Sequence, residues 1–495
     1  MELDAERCYQ AVLSRDRRFD GRIFGGVITT GVYCRPICPV RTPKPENIRW
    51  FACAAAAEAA GFRPCRRCRP ETAPGTPAWM GSSAVVSRAL RLIADGALDE
   101  DGVDELASRL GMGARQLRRL FAAHLGASPA AIAGTRRVHF AAKLIEETDL
   151  PIARVAYSAG FTSIRQFNHA VLTTFKRPPT ALRRNRNARE HDPSTSNGQG
   201  LLVRLPYRPP LNWGAIIAFL KPRAIPGVEV VEQDSYRRTI EVGGVPGTIE
   251  LSAAAGEALL LMRVHLPGYD GLIQVVERAR RIFDLGADPL QITAHLRRSQ
   301  TLRQALKATP GLRVPGAWDG FELAVRAVLG QQVTVKGATT LAGRLVTAFG
   351  EPLKNVAADG LTHLFPSPRR LAAADPSVIG IPAARSLTIR ALAGAVCAGE
   401  LSLDAGQGLD EAVARLRTMP GIGAWTAHYI AMRALGEPDA FPAGDLGLRR
   451  ALGNGTPISA AEVAHVAEPW RPWRAYAAMY LWTNGAGSKE GTHAD

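Results

Sequence analysis

No apolar run in this 495-residue chain approaches the roughly 20 residues that a bilayer-spanning helix requires, so no membrane partner is expected. The first ten residues, MELDAERCYQ, show no basic stretch leading into an apolar one. Without that export pattern the expected location is the cytoplasm, in association with the nucleoid. Cysteine is scarce: seven residues, an odd number, four of them in two short pairs. In a chain with no export signal this argues against a disulfide framework and for thiolate metal ligation. No long-period internal repeat is present, which excludes a solenoid. Acid is also in short supply, with 45 Asp and Glu against 61 Lys and Arg.

The resulting net charge of +16 favours a polyanionic partner, although a generic basic surface would give the same number. Its distribution says more. Residues 1–75 carry a net +5, residues 76–190 a net +7, and the remaining 305 residues only +4. The excess therefore sits in the first 190 residues.

A length of 495 suggests about three domains at ~150 residues each. Residues 1–75 are rich in Cys, Arg and Pro, with short mixed elements, and PETAPGTPAW (70–79) reads as a linker. A unit over 82–184 reads as almost wholly helical, with apolar residues at three- and four-residue spacing. The polar, Gly- and Ser-containing stretch 185–200 reads as a flexible linker. Residues 201–283 show β-like alternation with glycine turns, notably EVVEQDSYRRTIEVGGVPGTIELS (229–252). From 284 to 488 the chain reads as helices separated by Pro and Gly.

Cys34-Arg-Pro-Ile-Cys38 and Cys65-Arg-Arg-Cys68 have the spacing of a tetrahedral zinc site with four cysteine ligands. Each short pair lets two sulfurs reach one ion. Spacing alone leaves a purely structural site as the commoner meaning; Cys8, Cys53 and Cys397 read as ordinary thiols. The phrases GVYCRPICPVRTPKPENIRWF and AAGFRPCRRCRPE go further. Over residues 5–72 the chain closely resembles the N-terminal domain of Ada-type DNA repair methyltransferases. That resemblance implies one Zn²⁺ held by Cys34, Cys38, Cys65 and Cys68, with Cys34 as methyl acceptor. The chemistry is coherent: a thiolate is a nucleophile, and a methyl phosphotriester is an electrically neutral spot on DNA with an electrophilic methyl. Four thiolates with Zn²⁺ total −2, and methylation of one sulfur leaves −1, which lowers the repulsion of DNA. Arg35, Arg41, Lys44, Arg66 and Arg67 are candidate phosphate contacts, or simply solvated charges.

VDELASRLGMGARQLRRLFAAHLG (103–126) reads as helix, turn, helix, with Leu106, Ala107, Leu110, Leu117 and Phe121 buried and Gly111 at the turn. Arg115, Gln116, Arg118 and Arg119 then fall mainly on exposed faces. A second copy, IARVAYSAGFTSIRQFNHAVLTTFKRPP (152–179), has Gly160 at its turn and Ser163, Arg165, Gln166 and Asn168 opening the second helix. Such side chains can reach major-groove edges and phosphates. The pair resembles the AraC-type DNA-binding domain. It implies binding to promoter DNA, with RNA polymerase as a candidate partner.

MPGIGAWTAHYIAMRAL (419–435) carries the glycines of a helix-hairpin-helix, Gly421 and Gly423, where backbone N–H groups can bind a phosphate. AFPAGDLGLRRAL (440–452) follows, with Asp445 alone in a Pro- and Gly-rich stretch, the setting of a helix N-cap. With PPLNWGAIIAFL (209–220), AWDGFELAVRAVLGQQVTV (317–335) and AEPWRPWRAYAAMYLW (467–482), these segments resemble helix-hairpin-helix DNA glycosylases of the AlkA, 3-methyladenine-excising type. The resemblance implies Asp445 as catalytic carboxylate and a base pocket of Phe219, Trp425, Tyr429 and Trp482. Trp425 stands where bifunctional relatives carry a lysine nucleophile, which implies no lyase step. The pocket would stack a flipped, cationic base, with Asp445 stabilising the oxocarbenium-like sugar or orienting water. Trp213, Trp470 and Trp473 read as core. Two positions depart from the family pattern: Gln332 stands where an apolar wedge is usual, and Ala443-Gly444 precede Asp445 with no second Asp. No PCHR-type cysteine motif is present.

The expected architecture is multidomain and mainly α. It comprises a small α+β zinc domain, an all-α double helix-turn-helix domain, an α/β subdomain with a TBP-like antiparallel sheet, and an all-α helix-hairpin-helix domain. The expected function is an adaptive response to DNA alkylation. In it a monomeric protein acts on double-stranded DNA as methylphosphotriester sensor, transcriptional regulator and monofunctional glycosylase for 3-methyladenine and 7-methylguanine. The alternative is a methylation-activated transcription factor whose glycosylase half only recognises lesions.

Overall fold

The first helix, Ala5–Leu13, starts where Asp4 accepts from the backbone N–H groups of Glu6 and Arg7 at 3.1 and 3.2 Å. In the computed structural model, which describes residues 3–74, 84–99, 101–184, 200–353 and 360–485, a four-stranded sheet follows it. Strands β1 (Phe24–Val27), β2 (Val32–Cys34), β3 (Ile48–Phe51) and β4 (Arg63–Pro64) lie in the order β3-β1-β2-β4. A side chain at Gly26 would stand 2.8 Å from the Phe51 ring and 2.9 Å from Phe62, so glycine lets two aromatics close over the sheet. The expected linkers fall mostly on residues 75–83 and 185–199, outside the described residues.

The two helix-turn-helix pairs are Val103–Arg109 with Ala114–Leu125, and Ile152–Ser158 with Ile164–Phe175. Gly111 and Gly160 take φ of +68° and +80° at the turns, a region costly for residues with a Cβ. Leu106, Ala107, Leu110, Leu117 and Phe121 are buried, as their spacing predicts. The 19-residue helix Pro129–Glu147 joins the pairs and is capped by Ser128.

Five antiparallel strands come next: β5 (Leu201–Pro206), β6 (Glu229–Val231), β7 (Ser235–Val242), β8 (Val245–Ala253) and β9 (Leu259–His265). Their order is β5-β9-β8-β7-β6. Leu260, Met262 and Val264 alternate into the core along β9, against the helix Leu272–Ile282. Among the described residues beyond β9 the elements are helices, apart from one small two-stranded pairing. None of the described helices is long and apolar enough to cross a membrane.

The packing cuts across these sequence units. The cysteine-rich sheet and the first helix-turn-helix share one core, with Phe24, Tyr33 and Phe51 against Leu92, Leu106 and Phe121. The second helix-turn-helix shares another with the five-stranded sheet, where Phe140, Val155 and Phe167 join Leu205, Met262 and Ile273. A third core fills the helices beyond residue 284, with Ile225 and Val228 at its edge. Arg91, on the helix Ala84–Ala94, bridges to the third: it donates to the carbonyls of Leu435, at 2.8 Å, and Gly436, and to Glu437 at 2.7 Å.

Candidate metal centre and candidate active site

The register of the first sheet sets Cys34 opposite Gly25 at the end of β2, and Cys38 follows one turn later. Cys65 and Cys68 leave β4, the parallel neighbour of β2. The four Sγ atoms lie within 4.8 Å of one another. Four Zn–S bonds of ~2.3 Å in a tetrahedron need sulfurs ~3.8 Å apart, so the set fits one zinc ion with four cysteine ligands. Cys38, Cys65 and Cys68 are buried, and Cys34 alone is partly exposed. The Arg35 backbone N–H donates to Cys68 Sγ at 3.3 Å. Cys8 and Cys53 lie apart from the cluster, and burial pushes each thiol up to about 11, which keeps them protonated.

The basic residues around this cluster divide. Arg35 is buried: it pairs with Asp20 and donates to the Cys68 carbonyl at 3.0 Å and Thr72 Oγ1 at 2.7 Å. It is a structural brace, not a free phosphate contact. Arg41, Lys44, Arg66 and Arg67 are exposed. Arg66 is brought below its ordinary value by burial first, then by Arg177 and Arg63, so the cations of β4 and of the second helix-turn-helix crowd together beside the cysteines. Arg115, Arg118, Arg165 and Gln166 are exposed on their helices. Among the described residues Arg118 has one ion-pair contact, a long one to Asp104 at 3.9 Å.

Asp445 caps the helix Leu446–Leu452, accepting from the Leu448 N–H at 3.1 Å. Both its oxygens are also fixed by indoles: Trp482 Nε1 donates to Oδ1 at 2.9 Å and Trp425 Nε1 to Oδ2 at 3.1 Å. The approach to Asp445 is anchored by Asp439, which holds Arg474 at 2.8 and 2.9 Å. Trp425 and Tyr429 are one turn apart on the helix Ala424–Arg433 and stack at 5.4 Å and 12°. Trp482 tilts toward Tyr429 at 6.5 Å. Phe219, Trp425, Tyr429, Trp482 and Asp445 line a single cleft of about 1420 Å³.

The hairpin and the segment carrying Gln332 meet beside this cleft. Gly421 takes φ +78°, and a Cβ there would lie 2.2 Å from Thr388 Oγ1; Gly423, at φ −84°, precedes the helix that carries Trp425 in open space. Gln331 Nε2 donates to the Gly421 carbonyl at 2.9 Å and to Thr426 Oγ1 at 3.0 Å. The next residue, Gln332, is exposed and held at φ +56°, with Val333 and Val335 each 40% exposed beside it. An exposed non-glycine residue in the left-handed region is a strained one.

Sequence reasoning did not find the cations of the pocket. Arg223 lies 3.9 Å from the Phe219 ring centre, and Arg433 lies 5.0 Å from Phe219 and 5.7 Å from Tyr429. Arg433 also donates to Tyr429 Oη at 2.8 Å. Tyr429 and Arg433 are four residues apart in one helix, a spacing that brings side chains together, and that was the available signal. The indole grip on Asp445 has no local signature, because Trp482 lies 37 residues beyond it. Trp470 and Trp473 are core, as expected, and Trp213 packs on Phe283 at 5.1 Å.

Three family models match the chain: the metal binding domain of Ada over residues 7–71, a helix-turn-helix domain over 106–185, and the AlkA N-terminal domain over 202–319. A Mycobacterium tuberculosis protein named "Probable bifunctional transcriptional activator/DNA repair enzyme AlkA" is 46% identical over 98% of this chain and 97% of its own length. The Escherichia coli protein named DNA-3-methyladenine glycosylase 2 is 34% identical over 57% of this chain and 96% of its own. Among solved structures, a 3-methyladenine DNA-glycosylase from Archaeoglobus fulgidus shares the fold with a TM-score of 0.51, at 24% identity, covering 57% of this chain and 98% of that one. With near full-length identity of this order, and with its cysteine cluster, paired helix-turn-helix motifs and aromatic cleft in one polypeptide, the chain belongs to the AlkA family of bifunctional transcriptional activators and DNA repair enzymes.

Proposed function

We propose that this protein answers DNA alkylation in two ways: it excises alkylated purines as a monofunctional glycosylase, and it senses methyl phosphotriesters to regulate transcription. The observation that carries the first part is Asp445, whose two oxygens are held by two indoles and a backbone N–H on the wall of an aromatic cleft. A carboxylate fixed on three sides pays no reorganisation when positive charge develops at C1′ of the sugar. A flipped base enters the cleft and stacks on Trp425, Tyr429 or Trp482. Bond cleavage leaves an oxocarbenium-like sugar that Asp445 stabilises while water adds. Position 425 is Trp rather than Lys, so no amine is there to form an imine, and the product is an abasic site without strand cleavage. Gln332 fills the gap left by the flipped base, and the backbone at Gly421 and Gly423 receives a phosphate.

In the sensor, zinc when bound keeps the four thiols deprotonated. The Cys34 sulfur attacks the methyl carbon, the C–O bond breaks, and the electron pair returns to the phosphate oxygen. The thioether has no route back, so the reaction occurs once per molecule. Cys34 suits this role because it alone of the four is partly exposed. Loss of one negative charge favours DNA at Arg41 and Arg66, and Arg115, Arg118, Arg165 and Gln166 then read promoter DNA as a monomer, in contact with RNA polymerase.

The test is release of free 3-methyladenine and 7-methylguanine from alkylated duplex DNA, alongside transfer of labelled methyl from phosphotriesters. Asp445→Asn is expected to cut base release by about 10²–10³-fold, the scale of a lost electrostatic stabiliser. Cys34→Ser is expected to end methyl transfer and to spare base release. No base release by the wild-type protein would overturn the enzyme reading and leave a regulator that recognises lesions.

A further inference from the structure

Tyr429 is set among donors. Its phenol oxygen accepts from Arg433 Nη1 at 2.8 Å. Arg433 cannot swing away, because Nε donates to the Pro315 carbonyl at 2.6 Å and Nη2 to Gly316 at 3.2 Å. Arg223 lies on the neighbouring turn, tied to the Phe219 carbonyl at 2.8 Å. Arg326 lies behind it and donates to the Arg223 carbonyl at 2.5 Å. A guanidinium has donors only, so none of these three can accept the phenol's own hydrogen. Among the described residues no ion pair involves Arg223 or Arg433, whereas Arg326 is matched by Glu229 at 2.9 Å and Glu322 at 3.3 Å. Among the described residues no hydrogen bond donated by the Tyr429 hydroxyl appears, which leaves its hydrogen available to the cleft that this residue lines. Burial raises the phenol, but Arg433, Arg223 and Arg326 together bring it below its ordinary value of 10.

We propose that Tyr429 is the proton donor to the departing base. The proposal rests on the glycosylase reading above and adds a second catalytic group to Asp445. A cationic methylpurine leaves as a neutral molecule and needs no proton. An uncharged lesion base leaves as an anion unless it is protonated or strongly hydrogen-bonded. As the C1′–N bond breaks, its electron pair stays on the base, and the Tyr429 proton passes to an acceptor nitrogen or oxygen of the base. Water adds to C1′, and the proton it releases makes good the one the phenol has given. Arg433 and Arg223 stabilise the transient phenolate. The same guanidiniums disfavour a positively charged base at this end of the cleft, so the charged and uncharged classes of lesion depend on the site differently.

The test compares two duplexes, one with 7-methylguanine (charged) and one with hypoxanthine (uncharged), in single turnover with the full chain. Tyr429→Phe is expected to slow hypoxanthine release roughly 100-fold or more, the lower end for general acid catalysis. Its effect on 7-methylguanine release is expected to be at least tenfold smaller. In the wild-type protein, hypoxanthine release should also fall on an alkaline limb below the ordinary phenol range. The charged groups that set that limb are Arg433, Arg223 and Arg326, with Glu229 and Glu322 behind them and Asp445 on the same cleft. Equal loss for both bases would show that the phenol only packs the pocket and would overturn the proposal. Wild-type release of 7-methylguanine with none of hypoxanthine would overturn it as well. Release of neither base would sink the glycosylase reading itself.

Discussion

The cysteine cluster and the Asp445 cleft are two reactive centres in one chain, and they are built in opposite ways. The cluster comes from residues 34–68, on two neighbouring strands of a small sheet, and its ligands are bunched in two short phrases. The cleft takes Phe219 from a helix before β6, Arg326 from the middle of the helical part, Tyr429 and Arg433 after the hairpin, and Trp482 near the end of the described chain. The first centre is a cluster of four sulfurs that fits one zinc ion. The second is a carboxylate fixed by two indoles that shares its cleft with Arg223, Arg326 and Arg433. A site made of local phrases depends on the ion that joins them, whereas a site made of distant residues depends on the core behind it. Phe219, Tyr429 and Trp482 are packed against the large core around Leu329, Ile430 and Tyr480.

The strongest break in this comparison is removal of zinc. Structural zinc sites contribute apparent free energies of about 10–16 kcal/mol. Chelation is therefore expected to end methyl uptake and to melt the four-stranded sheet. The loss should spread into the first helix-turn-helix, which shares a core with that sheet through Phe51 and Phe121. It should stop before the five-stranded sheet, whose core is separate. Hydrogen exchange of the chelated protein would map that limit, and base release should persist. Loss of protection throughout β5–β9 would show that the two centres are not energetically separate.

A smaller and more local break lies at the hairpin. Gly421→Ala places a Cβ 2.2 Å from Thr388 Oγ1 at a backbone angle of φ +78°. Strain of this kind costs about 1–3 kcal/mol. Gly423→Ala meets open space at an ordinary φ and is expected to cost a few tenths of that. Melting temperature should separate the two variants, and DNA affinity should fall more for the first. Equal effects would mean that neither the Thr388 contact nor the positive φ constrains the turn.

How much of each centre was legible follows from the same contrast. The cysteine ligands could be read directly, because CxxxC and CxxC put two sulfurs within reach of one ion with no help from the rest of the fold. The helix-turn-helix pairs were legible from apolar spacing and from Gly111 and Gly160. Asp445 was legible as a helix cap, and the cap is real. Its indole partners were not, because Trp425 and Trp482 read as stacking rings and their N–H groups reach Asp445 only once distant helices pack. Arg35 misled for the converse reason: beside a cysteine it looked like a phosphate contact, but Asp20, 15 residues earlier, draws it inside. The shared cores were invisible too, since periodicity shows which face of a helix is buried and not what buries it.

The finest test concerns the joint between the cysteine-rich sheet and the helix Pro129–Glu147. Glu58, on the helix Ala54–Ala59, accepts from Tyr33 at 2.9 Å and from Thr135 at 2.7 Å, and lies 2.7 Å from His139 Nε2. Tyr33 immediately precedes Cys34, and Thr135 and His139 belong to the helix Pro129–Glu147, so one carboxylate ties the two units together. Burial raises Glu58, but His139 and the three hydrogen bonds leave it below its ordinary value of 4.5. Burial lowers His139, but Glu58 leaves it above its ordinary 6.5. The depressed carboxyl adds stability above pH ~4.5 that is lost as pH falls through its folded value, and the raised imidazole adds stability below pH ~6.5 that is lost as pH rises through its folded value. The joint should be firmest between those limits and loosen on the alkaline side first as His139 gives up its proton. His139→Gln keeps a hydrogen bond and removes the charge, so it should flatten the alkaline fall in melting temperature and cost about 1–3 kcal/mol near pH 6. A variant that keeps the wild-type alkaline slope would place that titration elsewhere. The joint would then be held by packing, with Glu58 satisfied by Tyr33 and Thr135 alone.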